Sequence, residues 1–400
     1  MKKLLAVLFC LSLAMFSLAG CGGNSDDAAT DDGAASGDTI KVGVNYELSG
    51  NVATYGQDSV NGITLAVEEI NANGGVNGQE IELVQMDNKS EATEATSVAT
   101  KLVTQEGVVA IVGPATSGNF KATIPVAESN QVPIISASAT AEDVTVSDGQ
   151  VYEYVFKTCF SDSYQGAAMA AYASDTLGAT KAVIIQDTSS DYAKGLAESF
   201  ESTFKAAGGE IVGSEGYVAG DTDFNAILTK VKSMDFDVVY LPGYYSEVGL
   251  IVKQARDLGI EAPFMGGDGY DSPTLLELAG ADALNNVYYT NHYSPIDEDE
   301  KVTKFQEAFK SKYNADPSAF NALGYDLGYF VADAIERAGS TEPEQIKDAM
   351  AATENFSGVT GTITIDENHN PIKSIVIIGL ENGVPATSER MEAADVQIAE

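Results

Sequence analysis

From residue 39 onward, short apolar runs alternate with segments of helical periodicity. Residues 40–46, 81–86, 108–112 and 132–136 are short runs rich in β-branched side chains and predict buried strands. Val60, Ile63, Val67 and Ile70 fall on one face of a predicted helix, which halts at Asn73-Gly74-Gly75. Residues 91–105 and 119–130 continue the alternation as helices. A second series follows: strand 182–186, helix 191–207, strand 210–215, helix 224–232, strand 236–241, helix 246–258 and strand 263–265. Leu196, Phe200 and Phe204 share one helix face, and Val248, Ile251, Ala255 and Leu258 share another. Strands alternating with helices of this length build parallel sheets from βαβ units, so two series predict an α/β chain of two doubly wound, Rossmann-like lobes.

The last third differs in kind. Residues 302–313, 319–338 and 342–352 predict helices, and 361–365 and 373–380 return to strand. Too few strands remain for a third sheet, so this part is expected to complete the first two lobes. The first lobe would then comprise 39–157 plus 291–355, and the second 158–290 plus 356–400. Such a chain crosses between lobes more than once, and several crossings at one edge form a multi-strand hinge.

Residues 1–20 stand outside the pattern. Lys2 and Lys3 precede an apolar run from Leu4 to Leu18, closed by Ala19-Gly20-Cys21. A basic start, an apolar stretch and small residues before a cleavage point predict a signal peptide. The competing reading is a membrane anchor, but a run of about 17 residues sits at the lower limit for a span. Leu18-Ala19-Gly20-Cys21 also resembles the bacterial lipoprotein processing site, in which the cysteine becomes the acylated N-terminus. Cys21 is therefore expected to be a lipid anchor. The stretch 22–38 has five Asp, four Gly and no large apolar side chain, so 21–38 reads as a lipidated, flexible acidic tether reaching roughly 20–25 Å. The remainder is expected outside the cytoplasm, held near the membrane.

Composition is globular, with 44% apolar and 20% charged residues over 400 positions. Charge changes the picture. Against 22 basic residues stand 59 acidic ones, giving −37, and so negative a surface repels phosphate backbones and anionic lipid heads. No nucleic-acid partner is expected. Two histidines, His292 and His369, and three cysteines, Cys10, Cys21 and Cys159, cannot supply a Cys/His zinc site. Neither a metal nor a cofactor is expected.

The search for catalytic chemistry returns negatives. Gly113 to Gly118 has the GxxxxG frame, but Asn119 and Phe120 stand where a phosphate loop needs Lys and Ser or Thr. Gly266-Gly267-Asp268-Gly269 fails the dinucleotide fingerprint, and no GxSxG elbow exists. Asp297-Glu298-Asp299-Glu300 lacks the spacing and central glycine of a calcium loop and suits a helix start instead. Cys159, without a plausible base, reads as a small buried residue. No enzyme is indicated.

A set of loops suited to holding a small molecule remains. Ligands of doubly wound sheets sit beyond the carboxyl ends of strands, at helix N-termini. Thr116-Ser117-Gly118 follows strand 108–112, and Ser138-Ala139-Thr140 follows strand 132–136. Both offer hydroxyls and free backbone N–H groups, a cradle for a carboxylate, though each taken alone is better explained as a helix cap. The corresponding loops of the second series carry Asp191-Tyr192, Gly243-Tyr244-Tyr245 and Gly267-Asp268-Gly269. Rings beside an acid suit an ammonium group and an apolar side chain.

Several stretches, in order, resemble the leucine/isoleucine/valine-binding family, the solute-binding lipoproteins of branched-chain amino acid ABC transporters. They are Tyr55-Gly56-Gln57 leading to Asn61-Gly62, Glu69-Ile70-Asn71-Ala72-Asn73-Gly74-Gly75, Val112-Gly113-Pro114, Asp162-Ser163-Tyr164-Gln165-Gly166, Tyr192-Ala193-Lys194-Gly195, Gly220-Asp221-Thr222-Asp223-Phe224, Pro242-Gly243-Tyr244 and Phe264-Met265-Gly266. Each alone is weak, and the ordered series is specific. The resemblance implies the type I periplasmic-binding-protein, or Venus-flytrap, fold. By position it implies that Ser117 and Thr140, with the Ser138 backbone, bind a ligand carboxylate. Asp162 and Asp268 would neutralise an ammonium, and Tyr55, Tyr192 and Tyr244 would line the side-chain pocket. Three positions depart from the family pattern. Asp268 stands where members often carry Glu, Tyr164 where they carry an acid or a small residue, and the disulfide that some have near Asp87 and Thr116 is absent.

The expected function is capture of an amino acid, branched-chain or otherwise aliphatic, for delivery to the permease and ATPase subunits of an ABC importer. An extracytoplasmic sensor for an amide, urea or amino acid is the alternative, and neighbouring permease genes discriminate the two. A lipid-anchored enzyme would need a catalytic group that the sequence does not offer.

Overall fold

The computed structural model describes residues 39–399, so the expected signal peptide, Cys21 and the tether lie outside the described residues. The first sheet uses β1 (Ile40–Tyr46), β2 (Ile81–Asp87), β3 (Ala110–Val112) and β4 (Ile134–Ser136). After the short hairpin β5 (Val146–Ser147) and β6 (Gln150–Val151), β7 (Val155–Lys157) completes it. All pair in parallel in the order β2-β1-β3-β4-β7. Sheets covered on both faces need near-continuous apolar strands, which is why Ile111, Ile134, Ile135 and Val155 are all fully buried. Helices α1 (Ala53–Ala72), α2 (Ala92–Lys101) and α3 (Ser117–Asn130) connect the first strands.

The second sheet repeats the plan with β8 (Lys181–Asp187), β9 (Glu210–Tyr217), β10 (Val238–Tyr240), β11 (Phe264–Gly266) and β12 (Val287–Asn291), in parallel order β9-β8-β10-β11-β12. Its helices are α4 (Asp162–Ala171), α5 (Asp191–Ala206), α6 (Asn225–Lys232), α7 (Tyr245–Asp257) and α8 (Pro273–Ala279). In both sheets the chain reverses direction across the sheet beside the first strand, between β1 and β3 and between β8 and β10. Clefts form at such switch points.

The C-terminal third divides between the lobes. Helices α9 (Glu300–Tyr313), α10 (Ala319–Ala338) and α11 (Pro343–Ala351) return to the first lobe. There α10 packs so closely on α1 that a Cβ at Gly324 would lie 2.1 Å from the Ser59 carbonyl oxygen. A ribbon of β13 (Phe356–Gly358), β14 (Gly361–Ile365) and β15 (Pro371–Ile372) follows, and then β16 (Ile375–Glu381) and β17 (Val384–Met391) add antiparallel to β12. The chain therefore passes between the lobes three times, at residues 158–161, 292–299 and 373–374.

One expected boundary is corrected. Residues 356–372, assigned from sequence to the second lobe, pack on the first. The His369 ring stacks on Phe156 at 4.1 Å, its carbonyl accepts from the Lys157 N–H (3.3 Å), and Asn370 accepts from the Thr145 hydroxyl (2.8 Å). The ribbon folds back on itself before it can reach the second sheet. Elements β7, α4, α8, β12 and β17 have no counterpart among those the hydrophobic pattern predicts.

Two carboxyls sit where the lobes meet α10. Asp58 on α1 accepts from the Ser318 hydroxyl (2.7 Å), and Asp271 accepts from Asn291 Nδ2 (2.5 Å) and the Ala319 N–H (3.3 Å). Burial pushes both carboxyls up to about 6, and the charge of Asp271 adds to the rise at Asp58. A folded state that holds these protons more tightly than the unfolded chain loses stability as pH rises from about 4 through about 6. Asp271→Asn keeps an acceptor for both donors without the charge. It should raise Tm by roughly 2–4 °C at about pH 8 and leave it nearly unchanged at about pH 4.5. Equal gains at both pH values would exclude the Asp271 charge as the cause.

Candidate functional site

The carboxyl ends of the two sheets face each other across a small, half-open cavity. Ala115 and Thr116, between β3 and α3, Ser117, which opens α3, and Ser138, after β4, form the first-lobe wall. From the second lobe come Tyr192 on the first turn of α5, Tyr244 just before α7, and Asp268 and Gly269 after β11. Tyr55 on α1 and Phe320 on α10 close the side. Six of the eight residues expected from sequence thus meet at one cavity. Thr140 and Asp162 are buried but are not part of its lining.

The first-lobe hydroxyls are not equivalent. Ser117 Oγ accepts from the Ala141 N–H (3.1 Å), which leaves its own proton free to donate. Ser138 Oγ donates to the Ala115 carbonyl (2.9 Å), and its backbone N–H turns to Ser136 Oγ (3.3 Å). Thr140 Oγ1 is buried without a partner. Ser117 is accordingly the hydroxyl of the lining with a proton available for an anion, whereas Thr140 lies behind the lining.

Just ahead of α3, part of the loop is already engaged. Glu47, wholly buried after β1, accepts from the N–H groups of Ala115 (2.9 Å) and Thr116 (3.2 Å), the Thr116 hydroxyl (2.9 Å) and Asn119 Nδ2 (2.8 Å). Its carboxylate thus takes the N–H groups of Ala115 and Thr116, and those of Ser117 and Gly118, the first of α3, are not among its partners.

On the opposite wall Asp268 is held at both oxygens. Tyr192 donates its hydroxyl to Oδ1 (2.8 Å) while accepting from the Gly269 N–H (2.9 Å), and His292 Nε2 lies 3.2 Å from Oδ2. Burial, with the Asp268 charge beside it, lifts the Tyr192 phenol well above its usual range, so it remains a donor. A Cβ at Gly267 would come within 2.5 Å of the Tyr192 hydroxyl, so a side chain there would dislodge this contact. No hydrogen bond of ordinary geometry reaches either oxygen of Asp162. Burial and the charge of Asp268 push its carboxyl well above the usual range, while Thr140 and Lys157 act the other way. Among the described residues, no lysine or arginine pairs with either acid.

Aromatic rings form the remaining wall. Tyr55 stacks on Phe320 (4.3 Å) and meets Tyr244 edge-on (5.6 Å), and Tyr244 stacks on Tyr192 (5.1 Å). The lobes are drawn together here: Tyr55 donates to the Gly269 carbonyl (2.5 Å), Ser246 to the Asn51 carbonyl (3.0 Å), and Lys121 pairs with Asp191 (2.9 Å). Tyr164 faces away, its hydroxyl reaching the Met391 carbonyl (3.5 Å).

Glu47, Phe320 and His292 were not singled out by sequence reasoning. Phe320 sits in an apolar helix whose pattern reads as core, and Glu47 is one acid among 59. Cys159 is fully buried, and burial pushes its thiol up to about 12, so it is inert. Among the described residues, no cluster of His, Cys, Asp and Glu is arranged to hold a metal, and no helix is long and apolar enough to cross a membrane.

Two parallel-sheet lobes, three crossings and a cleft lined from both sides define a two-lobed solute-binding protein. Residues 39–384 match the periplasmic binding protein family, and the chain belongs to it. It is 33% identical to the leucine-, isoleucine-, valine-, threonine- and alanine-binding protein of Pseudomonas aeruginosa, over 82% of this chain and 86% of that protein. Among solved structures, it resembles the branched-chain amino acid transporter substrate-binding protein LivJ of Streptococcus pneumoniae in complex with isoleucine. Identity there is 45% and the TM-score 0.84, covering 88% of this chain and 99% of that one. The leucine-binding protein LivK of Thermotoga maritima gives 38% and 0.84, with 90% and 100% covered.

Proposed function

We propose that this protein is the substrate-binding component of an ABC importer and captures a branched-chain or other aliphatic amino acid for a membrane permease and its ATPase. The observation that carries the reading is the polarity of the cavity. Ser117 offers a free hydroxyl proton on one wall, Asp268 an anion on the other, and aromatic rings lie between them. An α-amino acid has the matching charges and an apolar side chain for the rings. Asp162, buried and without a bonded cation, is further support, because an ammonium brought beside Asp268 would relieve the repulsion on it. A ligand that touches both lobes only when they are closed draws them together by its differential affinity. The ligands named for the Pseudomonas and Streptococcus proteins point the same way.

A thermal-shift screen of residues 39–400 against the common amino acids and short amides tests the ligand class. A true ligand at about 100 times its Kd should add about 2.7 kcal/mol to folding stability. Shifts with sugars or metals and none with any amino acid or amide would refute it.

Attachment is proposed from sequence alone, through acylation of Cys21. Cys21→Ser should move the protein from membranes to the soluble fraction. Unchanged membrane association in that variant would favour an uncleaved anchor.

A further inference from the structure

At the second crossing the chain leaves β12 as Thr290-Asn291-His292, and these consecutive side chains hold the turn at 268–271, Asn291 and His292 directly and Thr290 through Gln165. The Thr290 hydroxyl donates to Gln165 Oε1 (2.6 Å), which also accepts the Asp268 N–H (3.2 Å). Asn291 Nδ2 donates to Asp271, and His292 Nε2 meets Asp268 Oδ2. His292 is buried to 1% exposure and stacks face to face on Phe160, with centroids 3.7 Å apart.

The chemistry of this histidine does not suit mere packing. Burying an imidazole costs free energy unless both nitrogens are bonded, and here Nδ1 has no partner. A phenylalanine would stack on Phe160 without that cost. Burial pushes the ring down to about 4, so it is uncharged at neutral pH and the nitrogen facing the carboxylate carries the hydrogen. Uncharged donors, Tyr192 on one oxygen and His292 on the other, fix the plane of Asp268 without cancelling its charge. A lysine or arginine at either place would neutralise the acid before a ligand arrived.

We propose that His292 is a positioning residue for ammonium recognition: its Nε2–H, reaching in from the interlobe crossing, holds Asp268 aimed into the cavity. The inference rests on the amino-acid reading of the site. It ties the acid to a segment that must move when the lobes separate.

Calorimetry on the wild type, His292→Phe and His292→Gln, each with leucine and its des-amino analogue 4-methylpentanoate, tests it. His292→Phe should bind leucine about tenfold more weakly, since an oriented charged contact is lost. The analogue, which has no ammonium, should change by no more than about twofold. His292→Gln supplies an amide N–H in place of Nε2–H and should recover most of the leucine affinity. Equal losses for both ligands, or no recovery with glutamine, would overturn the proposal. If His292→Phe does not fold, His292→Asn replaces it, because the shorter amide falls short of Oδ2. A wild type that binds neither leucine nor any other amino acid would instead remove the reading beneath the inference.

Discussion

Asp268→Asn is expected to weaken binding of leucine or isoleucine by tenfold or more while barely changing the affinity for the des-amino analogue. The substitution keeps the size of the side chain and its acceptor for Tyr192, but it removes the charge. A hydrogen bond to a charged group contributes about 1.5–3 kcal/mol, and a buried charge left unpaired can cost more. An ammonium facing an amide between the closed lobes would suffer both losses. The analogue keeps the carboxylate and the side chain, so it would no longer face an anion across the cavity. Ser117→Ala provides the control at the other end: it should weaken both ligands alike, because both keep the carboxylate that its free hydroxyl proton would meet. Two variants and two ligands form a double-mutant comparison. Equal losses for both ligands in Asp268→Asn would sink the ammonium assignment and leave the family membership untouched.

What was legible in the sequence follows from where physical chemistry leaves periodic traces. β1 and α10 run as the apolar pattern predicts, Ile40–Tyr46 and Ala319–Ala338, because β1 is a nearly continuous buried apolar run and α10 buries a regular face between the caps Ser318 and Gly339. β7 has no apolar signature because it is three residues long and Lys157 occupies a fully buried position in it, its ammonium bonded to Ser161 Oγ (2.8 Å). α4 is built largely of alanine and other small residues, which mark no face by periodicity. β12 ends in the buried polar residues Thr290 and Asn291. Buried polar residues are satisfied by tertiary partners, and those partners are invisible in a local window.

The candidate site shows the same division. Loop residues following strands were found because the topology places strand ends at clefts, and Tyr55, Ser117, Ser138, Tyr192, Tyr244 and Asp268 do converge. The groups that organise them were not found. His292 lies 24 positions from Asp268, and Glu47 lies 68 from Ala115, separations at which no motif spacing speaks.

Glu47 also carries the largest expected effect on stability. Its carboxylate accepts four hydrogen bonds at the start of α3, where the helix dipole adds favourable charge. Glu47→Ala would leave those donors facing an empty, dry space. Unpaired buried donors cost about 1–3 kcal/mol each when nothing replaces their partner, and relaxation and water entry recover part of that. A net loss of roughly 3–5 kcal/mol in urea unfolding is therefore expected. The same vacancy would be an anion site, with N–H groups converging at a helix N-terminus. Added formate should then restore part of the lost stability in Glu47→Ala and none in the wild type, whose cradle is full. Where the Ser117 hydroxyl holds the ligand carboxylate and Ala115 and Thr116 hold formate, formate rescue should not compete with leucine. Unchanged stability in Glu47→Ala would mean that the helix start is satisfied without Glu47. Rescue that leucine abolishes would mean that the ligand carboxylate shares the cradle after all.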